Sequence, residues 1–193
     1  MPAPSGCIRI MLSTSDSRRT RLVCLAGFMG SGKSTIGQLL ARQAGHRFID
    51  LDTRIEERSG LSIREFFERH GEARFRELEH ETLLHILGEI AEKGQSAVLA
   101  LGGGTYVQPG NQTALREQGA AVVWLDCPVD ELFARCATIT NRPLFRDEAS
   151  FRELFLQRLP SYQMAQHRVE STGDPRAVVS QILSLQLFER VSA

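Results

Sequence analysis

The residues best suited to chemistry lie in a glycine-rich segment at 27–34, which has the sequence GFMGSGKS. Its spacing fits the G-x-x-x-x-G-K-S/T phosphate-binding loop, and the apolar run before it, 22–26, is typical of a buried strand. Glycines lack the Cβ that would stop backbone N–H groups from converging on a phosphate, and this loop contains Gly27, Gly30 and Gly32. The sequence therefore predicts that the chain binds a nucleoside triphosphate.

The end of the loop suits phosphates and a magnesium ion. A helix is predicted from Gly32 to about Gln43, and its N-terminal amides and dipole favour an anion. Lys33 would reach the β- and γ-phosphates, and the Ser34 hydroxyl would ligate Mg²⁺. The alternative is a glycine-rich turn before an ordinary helix, but such a turn would not require a match along the whole motif.

Composition limits the class of protein. The chain has 193 residues, of which 42% are hydrophobic, and this fits one α/β domain with a buried core. Lys plus Arg and Asp plus Glu both number 23, so no overall charge draws the protein to nucleic acid or to a membrane surface. We expect a flexible tail at 1–20, rich in Ser, Pro and Arg, and one domain at 21–193. A short transit peptide is the alternative for the tail.

Apolar run lengths and cysteine usage favour a soluble protein of the cytoplasm. The apolar runs are shorter than the ~20 residues that span a bilayer, and the N-terminus lacks a secretory apolar core. The four cysteines form no C-x-x-C pair, so a reducing cytosol suits them better than secretion. The five histidines form no H-E-x-x-H motif, and we expect no dedicated transition-metal site. We also expect a monomer with no nucleic-acid or membrane partner.

Strand-like and helix-like segments alternate along the chain. Strands are predicted near 21–26, 47–50, 96–101, 120–125 and 166–170. Helices are predicted near 32–44, 53–59, 62–87, 111–118 and 128–137, from about 150 and from about 174. This alternation indicates an α/β fold with a mainly parallel sheet covered by helices on both faces. Ligands of such folds bind at the carboxyl ends of the strands.

Two carboxylates follow the second predicted strand, in the sequence Asp50-Leu51-Asp52. In an extended chain, alternation would point both to the same side. One could support the hydration shell of Mg²⁺, and the other could accept the proton of an attacking hydroxyl. In the alternative, Asp52 caps the following helix and Asp50 is a solvated strand end.

Three glycines, 102–104, follow the third predicted strand, and their lack of side chains suggests that a ligand or another backbone approaches closely. A plain flexible loop is the alternative. Upstream, Arg76 lies in a helical segment with one charged face. Taken alone, Arg76 is a surface arginine paired with Glu72, Glu79 or His80.

An ordered set of motifs resembles the shikimate kinase family over about residues 21–190. The motifs are GFMGSGKST, DLD, SIREFF, GEARFRELE, GGG, NRPL and RLPSY. The resemblance implies a three-layer P-loop NTPase fold of the nucleoside-monophosphate-kinase type, with a five-stranded parallel sheet flanked by helices and a mobile lid. It also implies phosphorylation of the 3-hydroxyl of shikimate by Mg·ATP, giving shikimate 3-phosphate and ADP, in aromatic amino-acid biosynthesis.

The resemblance also implies roles for individual residues. Asp52 would contact the shikimate hydroxyls and act as the base, while Asp50 would support Mg²⁺ together with Ser34. Arg76 and Arg158 would hold the shikimate carboxylate. Around the acceptor the resemblance places Gly102, Gly103, Gly104, Phe67 and Phe75, with the two phenylalanines as an apolar wall or as ordinary core residues. Around ATP it places Gly30, Ser31, Gly32, Lys33, Ser34, Thr35, Arg135 and Arg142.

The lid is expected at 138–149, a segment with too little apolar periodicity to pack as a helix. By resemblance, Arg142 would swing over the β,γ-phosphates on closure and stabilise the transferring phosphoryl group. Arg135 would stack on adenine, or else is a solvated helix arginine. No role is assigned to Arg176, because the register before the last helix is ambiguous.

Two other functions fit parts of the sequence. A gluconate-kinase-like sugar-acid kinase shares the phosphate loop and the size, but is not expected to combine the glycine triplet with the F-R-x-x-E segment. A non-catalytic nucleotide-binding relative would keep the fold. The presence of Lys33, Asp52 and Arg142 together argues against the loss of catalysis.

Overall fold

The computed structural model of the chain describes residues 20–137 and 147–188. The strands are β1 (Leu22–Ala26), β2 (Arg47–Asp50), β3 (Ala97–Ala100), β4 (Ala121–Asp126) and β5 (His167–Glu170). The α-helices are α1 (Lys33–Ala44), α2 (Leu51–Ser59), α3 (Ile63–Lys93), α4 (Pro109–Glu117), α5 (Val129–Ala137), α6 (Glu148–Tyr162) and α7 (Pro175–Ser184). A short 3₁₀ turn spans Thr105–Val107. Within the described ranges, no helix is long and apolar enough to cross a membrane.

The strands form one five-stranded parallel sheet in the order β2-β3-β1-β4-β5. The central strand β1 pairs with β3 on one side and β4 on the other, so that Leu25 lies between Ala100 and Val123. The chain reverses its direction of winding at β1, and a crevice therefore opens beyond the carboxyl end of this strand. The predicted fold class and parallel sheet are confirmed.

Both faces of the sheet are covered by helices, because successive residues of a strand point to opposite sides. On one side, Cys24 belongs to an apolar cluster with α3 residues such as Leu83 and Ile86. On the other side, Val23 and Leu25 belong to a cluster that contains these residues of α1 and α7: Ile36, Leu40, Val178, Val179 and Ile182. Continuous apolar strands predict this doubly covered arrangement.

Helix α3 is longer than predicted and is divided by a glycine. It was expected to end near 87, but Ile90 is buried in the core and Gly94 closes the helix by donating its N–H to the Ile90 carbonyl at 3.0 Å. Gly71 interrupts the helix with φ 76° and ψ 174°. Glycine adopts this backbone conformation readily, whereas residues with a Cβ rarely do. The first turns of α3 therefore lie at an angle to the rest of the helix.

The first described residue, Thr20, is already anchored. It was expected to end a flexible tail, but it is buried and its N–H donates to the Leu187 carbonyl at 2.7 Å. Its hydroxyl donates to the Gly119 carbonyl at 2.7 Å. Thr20 therefore packs against the fold, and the rest of the predicted tail, 1–19, lies outside the described residues.

Candidate active site

Two cavities adjoin at the carboxyl edge of the sheet. The first, of about 470 Å³, lies against the loop that follows β1, and we call it the phosphate-loop cavity. The second, of about 750 Å³, lies against α2, α3 and the 102–104 turn, and we call it the arginine cavity because Arg76 and Arg158 line it. Both cavities are lined by Met29, Ser34, Asp50, Asp52 and Gly103. Groups bound in the two cavities would therefore face each other across this shared wall.

The loop after β1 has the conformation that its glycines predict. Gly27, Gly30 and Gly32 have φ values of 147°, 81° and 87°. Gly32 is also the N-cap of α1, where no side chain caps the helix. The first amides of α1 are thus available to an anion, and the helix dipole adds a favourable field.

Two hydroxyl groups show how tightly this loop is built. The Ser31 side chain is buried and, within the described residues, its Oγ lacks a hydrogen-bond partner. A Cβ at Gly27 would lie 2.8 Å from Ser31 Oγ, so space as well as φ requires glycine there. The Ser31 carbonyl accepts a hydrogen bond from Ser171 Oγ at 2.6 Å. Ser171, which sequence reasoning missed, therefore fastens the loop after β5 to the phosphate loop.

The side chain of Lys33 lies back over its own loop. Its Nζ donates to the Gly27 carbonyl at 2.8 Å and to the Phe28 carbonyl at 3.0 Å. Lys33 lines the phosphate-loop cavity together with Gly32 and Ser34 at the start of α1. An ammonium group and a helix N-terminus that line one cavity are suited to binding a polyphosphate.

Arg135 is not a solvated helix arginine. Its Nη1 donates to the Gly30 carbonyl at 3.2 Å, and its Nη2 donates to the Ser171 carbonyl at 3.1 Å and pairs with Glu131. It thereby joins the phosphate loop to the loop after β5, and it lines the phosphate-loop cavity. Arg176, left without a role, is exposed and does not line the cavity.

The two carboxylates after β2 differ from the prediction. Asp50 is the N-cap of α2, and its Oδ1 accepts the amides of Asp52 at 3.0 Å and Thr53 at 3.4 Å. The helix starts at Leu51, so the expected extended chain was wrong, and so was the alternative in which Asp52 is the cap. The other oxygen of Asp50, Oδ2, accepts the Ser34 hydroxyl at 2.6 Å. Both carboxylates nevertheless line both cavities.

Arg76 makes two of the pairs expected of it but is largely buried. Its Nη1 donates to Glu79 Oε2 at 2.9 Å, and its Nη2 donates to Glu72 Oε1 at 3.0 Å. The Arg76 side chain is 18% exposed and that of Glu79 is 1% exposed. Burial lowers the pKa of Arg76, but the carboxylates of Glu79 and Glu72 outweigh it, so the pKa lies above its ordinary value. The guanidinium therefore faces the arginine cavity as a firmly held cation.

The second arginine of this cavity comes from α6. The guanidinium carbon of Arg158 lies 5.7 Å from the ring centroid of Phe28, and its Nη1 is 3.7 Å from where a Cβ of Gly103 would be. Near it the hydroxyl of Tyr162, which was missed as a site residue, donates to the Gly103 carbonyl. Burial raises the pKa of Tyr162 to about 12, although the charges of Arg158 and Arg76 act against this. Tyr162 therefore stays a neutral donor that holds the turn against α6.

Two of the three glycines at 102–104, Gly102 and Gly104, are required by neighbouring side chains rather than by a second backbone. A Cβ at Gly102 would lie 2.6 Å from Asp52 Oδ1. A Cβ at Gly104 would lie 2.6 Å from Arg76 Nη1. The turn thus lets an acidic and a basic side chain approach the same stretch of backbone, and the flexible-loop alternative is excluded.

Aromatic rings form one wall of the arginine cavity. The rings of Phe67 and Phe75 lie 4.4 Å apart between centroids, and both residues line the cavity. The guanidinium carbon of Arg76 is 5.3 Å from the Phe75 ring centroid. Phe75 is buried in the core, so it serves the wall and the core at once.

The structure brings together most of the residues that the sequence predicts for the site. Those that line the phosphate-loop cavity are Gly30, Gly32, Lys33, Ser34, Thr35, Asp50 and Arg135. Those that line the arginine cavity are Asp52, Phe67, Phe75, Arg76, Gly102, Gly103, Gly104 and Arg158. Ser31 is buried beneath the loop instead of lining a cavity. Arg142 and most of the predicted lid lie outside the described residues, while Asp147 and Glu148 begin α6.

Comparisons with known proteins agree with this geometry. The family model described as "Shikimate kinase" matches residues 29–186. A shikimate kinase from Persephonella marina is 38% identical over 165 residues, which cover 84% of this chain and 97% of that protein. The solved shikimate kinase from Acinetobacter baumannii in complex with shikimate has a TM-score of 0.78 at 34% identity, covering 86% of this chain and 92% of that one.

A gluconokinase is also similar in structure. The solved gluconokinase from Sinorhizobium meliloti 1021 has a TM-score of 0.55 at 18% identity, covering 87% of this chain and 93% of that one. A similarity at this level of identity extends to the fold alone.

Proposed function

The chain belongs to the shikimate kinase family, and from this premise we propose that ATP occupies the phosphate-loop cavity while shikimate occupies the arginine cavity. The activity of the family is ATP-dependent phosphorylation of shikimate to shikimate 3-phosphate, a step of aromatic amino-acid biosynthesis. The observation that carries the division of the two substrates is the shared wall, because in-line transfer needs the γ-phosphate and the acceptor hydroxyl next to each other.

The phosphates of ATP are held by the amides at the start of α1 and by Lys33. The ammonium of Lys33 now contacts loop carbonyls, and the stronger charge of a β- or γ-phosphate draws it into the cavity. Arg135 lines the same cavity, and a planar guanidinium is suited to stacking on adenine. Arg142 adds a further positive charge to the transferring phosphoryl group from the segment 138–149.

Ser34 and Asp50 fit a magnesium ion. Their oxygens lie 2.6 Å apart, and hydroxyl and carboxylate oxygens are the hard donors that Mg²⁺ prefers. Protein sites for Mg²⁺·nucleotide use one or two such ligands and leave the remaining positions to phosphates and water. The ion, when bound, neutralises charge on the β- and γ-oxygens.

Arg76 and Arg158 hold the carboxylate of shikimate. Both line one cavity, and the turn at 102–104 lies against both of them. Arginine presents paired N–H donors in the plane of a carboxylate, and each charge-assisted bond is stronger than a neutral one. The rings of Phe67 and Phe75 complete the cavity with an apolar wall.

Asp52 accepts the proton of the 3-hydroxyl as that oxygen attacks the γ-phosphate. Its carboxylate lies on the shared wall, beside Gly102 and in the first turn of α2. Catalysis then consists of positioning, charge neutralisation and one proton transfer.

We also propose that the protein is a cytoplasmic monomer. Within the described residues, Cys24 and Cys127 are buried free thiols, and free thiols persist in a reducing compartment. The balance of 23 basic and 23 acidic residues supports the absence of nucleic-acid and membrane partners.

The test is an ADP-release assay with Mg·ATP and shikimate, quinate, gluconate or no acceptor. We expect ADP release with shikimate. A preference for gluconate would favour the sugar-acid kinase, and an inactive protein would favour the non-catalytic nucleotide-binding relative. Arg158→Ala should raise the KM for shikimate roughly 10- to 150-fold without changing the KM for ATP, since a charge-assisted hydrogen bond contributes about 1.5–3 kcal/mol.

Arg168→Ala is the matched control for this variant. Arg168 is exposed, pairs with Asp126 and lies over the Trp124 ring, and it lines neither cavity. Equal changes in both KM values for Arg158→Ala, or a similar change for Arg168→Ala, would contradict the assignment of Arg158.

A further inference from the structure

A chain of buried polar groups runs from the arginine cavity into the protein beneath the 102–104 turn. Arg76 Nη1 donates to Glu79 Oε2 at 2.9 Å, and Thr105 Oγ1 donates to Glu79 Oε1 at 2.7 Å. The Thr105 carbonyl accepts Asn111 Nδ2 at 3.0 Å, and Asn111 Oδ1 lies 2.7 Å from a ring nitrogen of His80. The roles proposed above use only the first member of this chain.

Glu79 is the buried carboxylate that links Arg76 to Thr105 in this series of hydrogen bonds. It is 1% exposed, and its two oxygens are divided between Arg76 and Thr105. Burial of a carboxylate is unfavourable unless its oxygens are paired, so the orientation of Glu79 depends on both partners. A Cβ at Gly102 would lie 3.2 Å from Glu79 Oε1, and this side of the carboxylate is therefore closely packed.

Thr105 is buried, and hydrogen bonds fix its backbone on both sides. Its side chain is fully buried, and its N–H donates to the Gly102 carbonyl at 3.1 Å. Because Asn111 also fixes its carbonyl, the backbone at Thr105 is held on both sides. The hydroxyl therefore points at Glu79 from a rigid position.

Arg76 depends on Glu79 more than on its other partner. Glu72 is 67% exposed, and a pair with an exposed carboxylate contributes little because water and salt screen it. Glu79 is buried, so its bond to Nη1 is screened much less. The hydrogen bond to Glu79 therefore orients the Arg76 guanidinium and the donors that it presents to the cavity.

We propose that Thr105 is a positioning residue for shikimate: its hydroxyl fixes the Glu79 carboxylate, which in turn orients Arg76 toward the carboxylate of the acceptor. This inference rests on the proposed role of Arg76. Without the hydroxyl, Glu79 Oε1 is unpaired in a closely packed site, and the carboxylate rotates to find another partner. This rotation weakens the anchor of Arg76, while the phosphate-loop cavity is untouched.

The experiment compares Thr105→Val with Thr105→Ser in steady-state assays with both substrates varied. Valine keeps the shape and loses the hydroxyl, whereas serine keeps the hydroxyl and loses a methyl group. We expect Thr105→Val to raise the KM for shikimate about tenfold, the equivalent of about 1.4 kcal/mol, with the KM for ATP unchanged. Thr105→Ser should restore a KM near that of the wild type.

Thr82→Val is the matched control. Thr82 is also buried, and its hydroxyl donates at 2.7 Å to the Leu78 carbonyl within α3, away from both cavities. The Thr82→Val variant measures how far the loss of a buried threonine hydroxyl lowers the melting temperature. A merely structural role for Thr105 predicts that both valine variants lower the melting temperature and leave the KM for shikimate unchanged.

A double-mutant cycle separates this proposal from the proposed function. If Arg76→Ala raises the KM for shikimate, Thr105→Val should add nothing further in that background. A further rise there, or no rise for Thr105→Val alone, overturns the role of Thr105 and leaves that of Arg76 standing. If Arg76→Ala itself has no effect on the KM for shikimate, the role of Arg76 fails, and the proposal for Thr105 fails with it.

Discussion

Adding one methyl group at Gly102 should damage the turnover more than the fold. A Cβ at this position would lie 2.6 Å from Asp52 Oδ1, 2.8 Å from Thr105 Oγ1 and 3.2 Å from Glu79 Oε1. Thr105 and Glu79 are buried and bonded to each other, whereas Asp52 is half-buried and faces the cavities. Asp52 is therefore the side chain that yields most easily, while the contact with Thr105 also strains the buried site. Asp52 must retreat by about 0.8 Å, from 2.6 to 3.4 Å, before the contact becomes ordinary.

Two magnitudes follow from that displacement. Overpacking of a closely packed site destabilises by about 1–3 kcal/mol, and we expect a value inside this range because the half-buried Asp52 can yield whereas the buried Thr105 resists. For a chain of this size the melting temperature should fall by roughly 2–4 °C per kcal/mol. A misplacement of about 1 Å at a reacting group lowers the rate up to about 100-fold. We therefore expect a modest loss of stability and a 10- to 100-fold loss of kcat.

The assays are thermal unfolding and steady-state turnover of Gly102→Ala beside Gly88→Ala. Gly88 lies on the exposed face of α3, where a Cβ would meet nothing within 4 Å. The same substitution there should raise stability by about 0.5–1 kcal/mol, because alanine is the better helix former. Wild-type kcat in Gly102→Ala would refute the steric argument, and so would a loss of stability without any loss of turnover.

Two further predictions concern Asp52 and the histidines. Asp52→Asn should lower kcat by about 10²–10⁴-fold and leave the affinity for ATP intact, because a general base acts only after the nucleotide is bound; near-normal turnover would remove Asp52 from that role. Burial lowers the pKa of His46, against a backbone hydrogen bond at Gly45, and also lowers that of His167. The unfolded chain therefore takes up protons more readily, so the stability from these two groups is present above about pH 6.5 and is lost as the pH falls below it. Replacing both with Gln should flatten the fall of the melting temperature between about pH 7 and 5, and an unchanged slope would assign the effect to other groups.

The sequence predicts the sheet well because its three central strands are buried on both faces. Runs such as 22–26 and 97–100 are apolar throughout, and parallel strands with helices on each side require this. The phosphate loop is predicted equally well, because Gly30 and Gly32 have φ values above zero, which residues other than glycine rarely adopt. These features are local and depend on neighbours along the chain.

The parts of the site that were missed depend on contacts between distant residues. Thr105 and Glu79 are 26 positions apart, and neither residue type stands out until the glycine turn packs against α3. The spacing of Arg76 and Glu79 on one helix predicts their pairing but not their burial. Tyr162 was visible within the RLPSY motif, yet its bond to Gly103 requires α6 to lie beside the turn.

The extended chain expected at 50–52 is wrong for a local reason. An aspartate directly before a helix is a common N-cap, and with a helix predicted to begin at 53 only the alternative interpretation considered a cap, at Asp52. The helix begins two residues earlier, which moves the cap to Asp50 and puts Asp52 in the first turn. A difference of two residues at the helix boundary therefore decides which aspartate caps the helix and which lies in its first turn.

The carboxylate of Asp50 serves two neighbours at once, since one oxygen receives the Ser34 hydroxyl and the other receives the amide of Asp52. If Asp50 holds Mg²⁺ as proposed, the ion would draw electron density from the first oxygen and so make the second a weaker acceptor. The second oxygen caps α2, so binding of the ion would then alter the first turn of that helix, where Asp52 lies. Under the proposed roles, a single side chain would couple the binding of Mg·ATP to the position of the group that activates the acceptor.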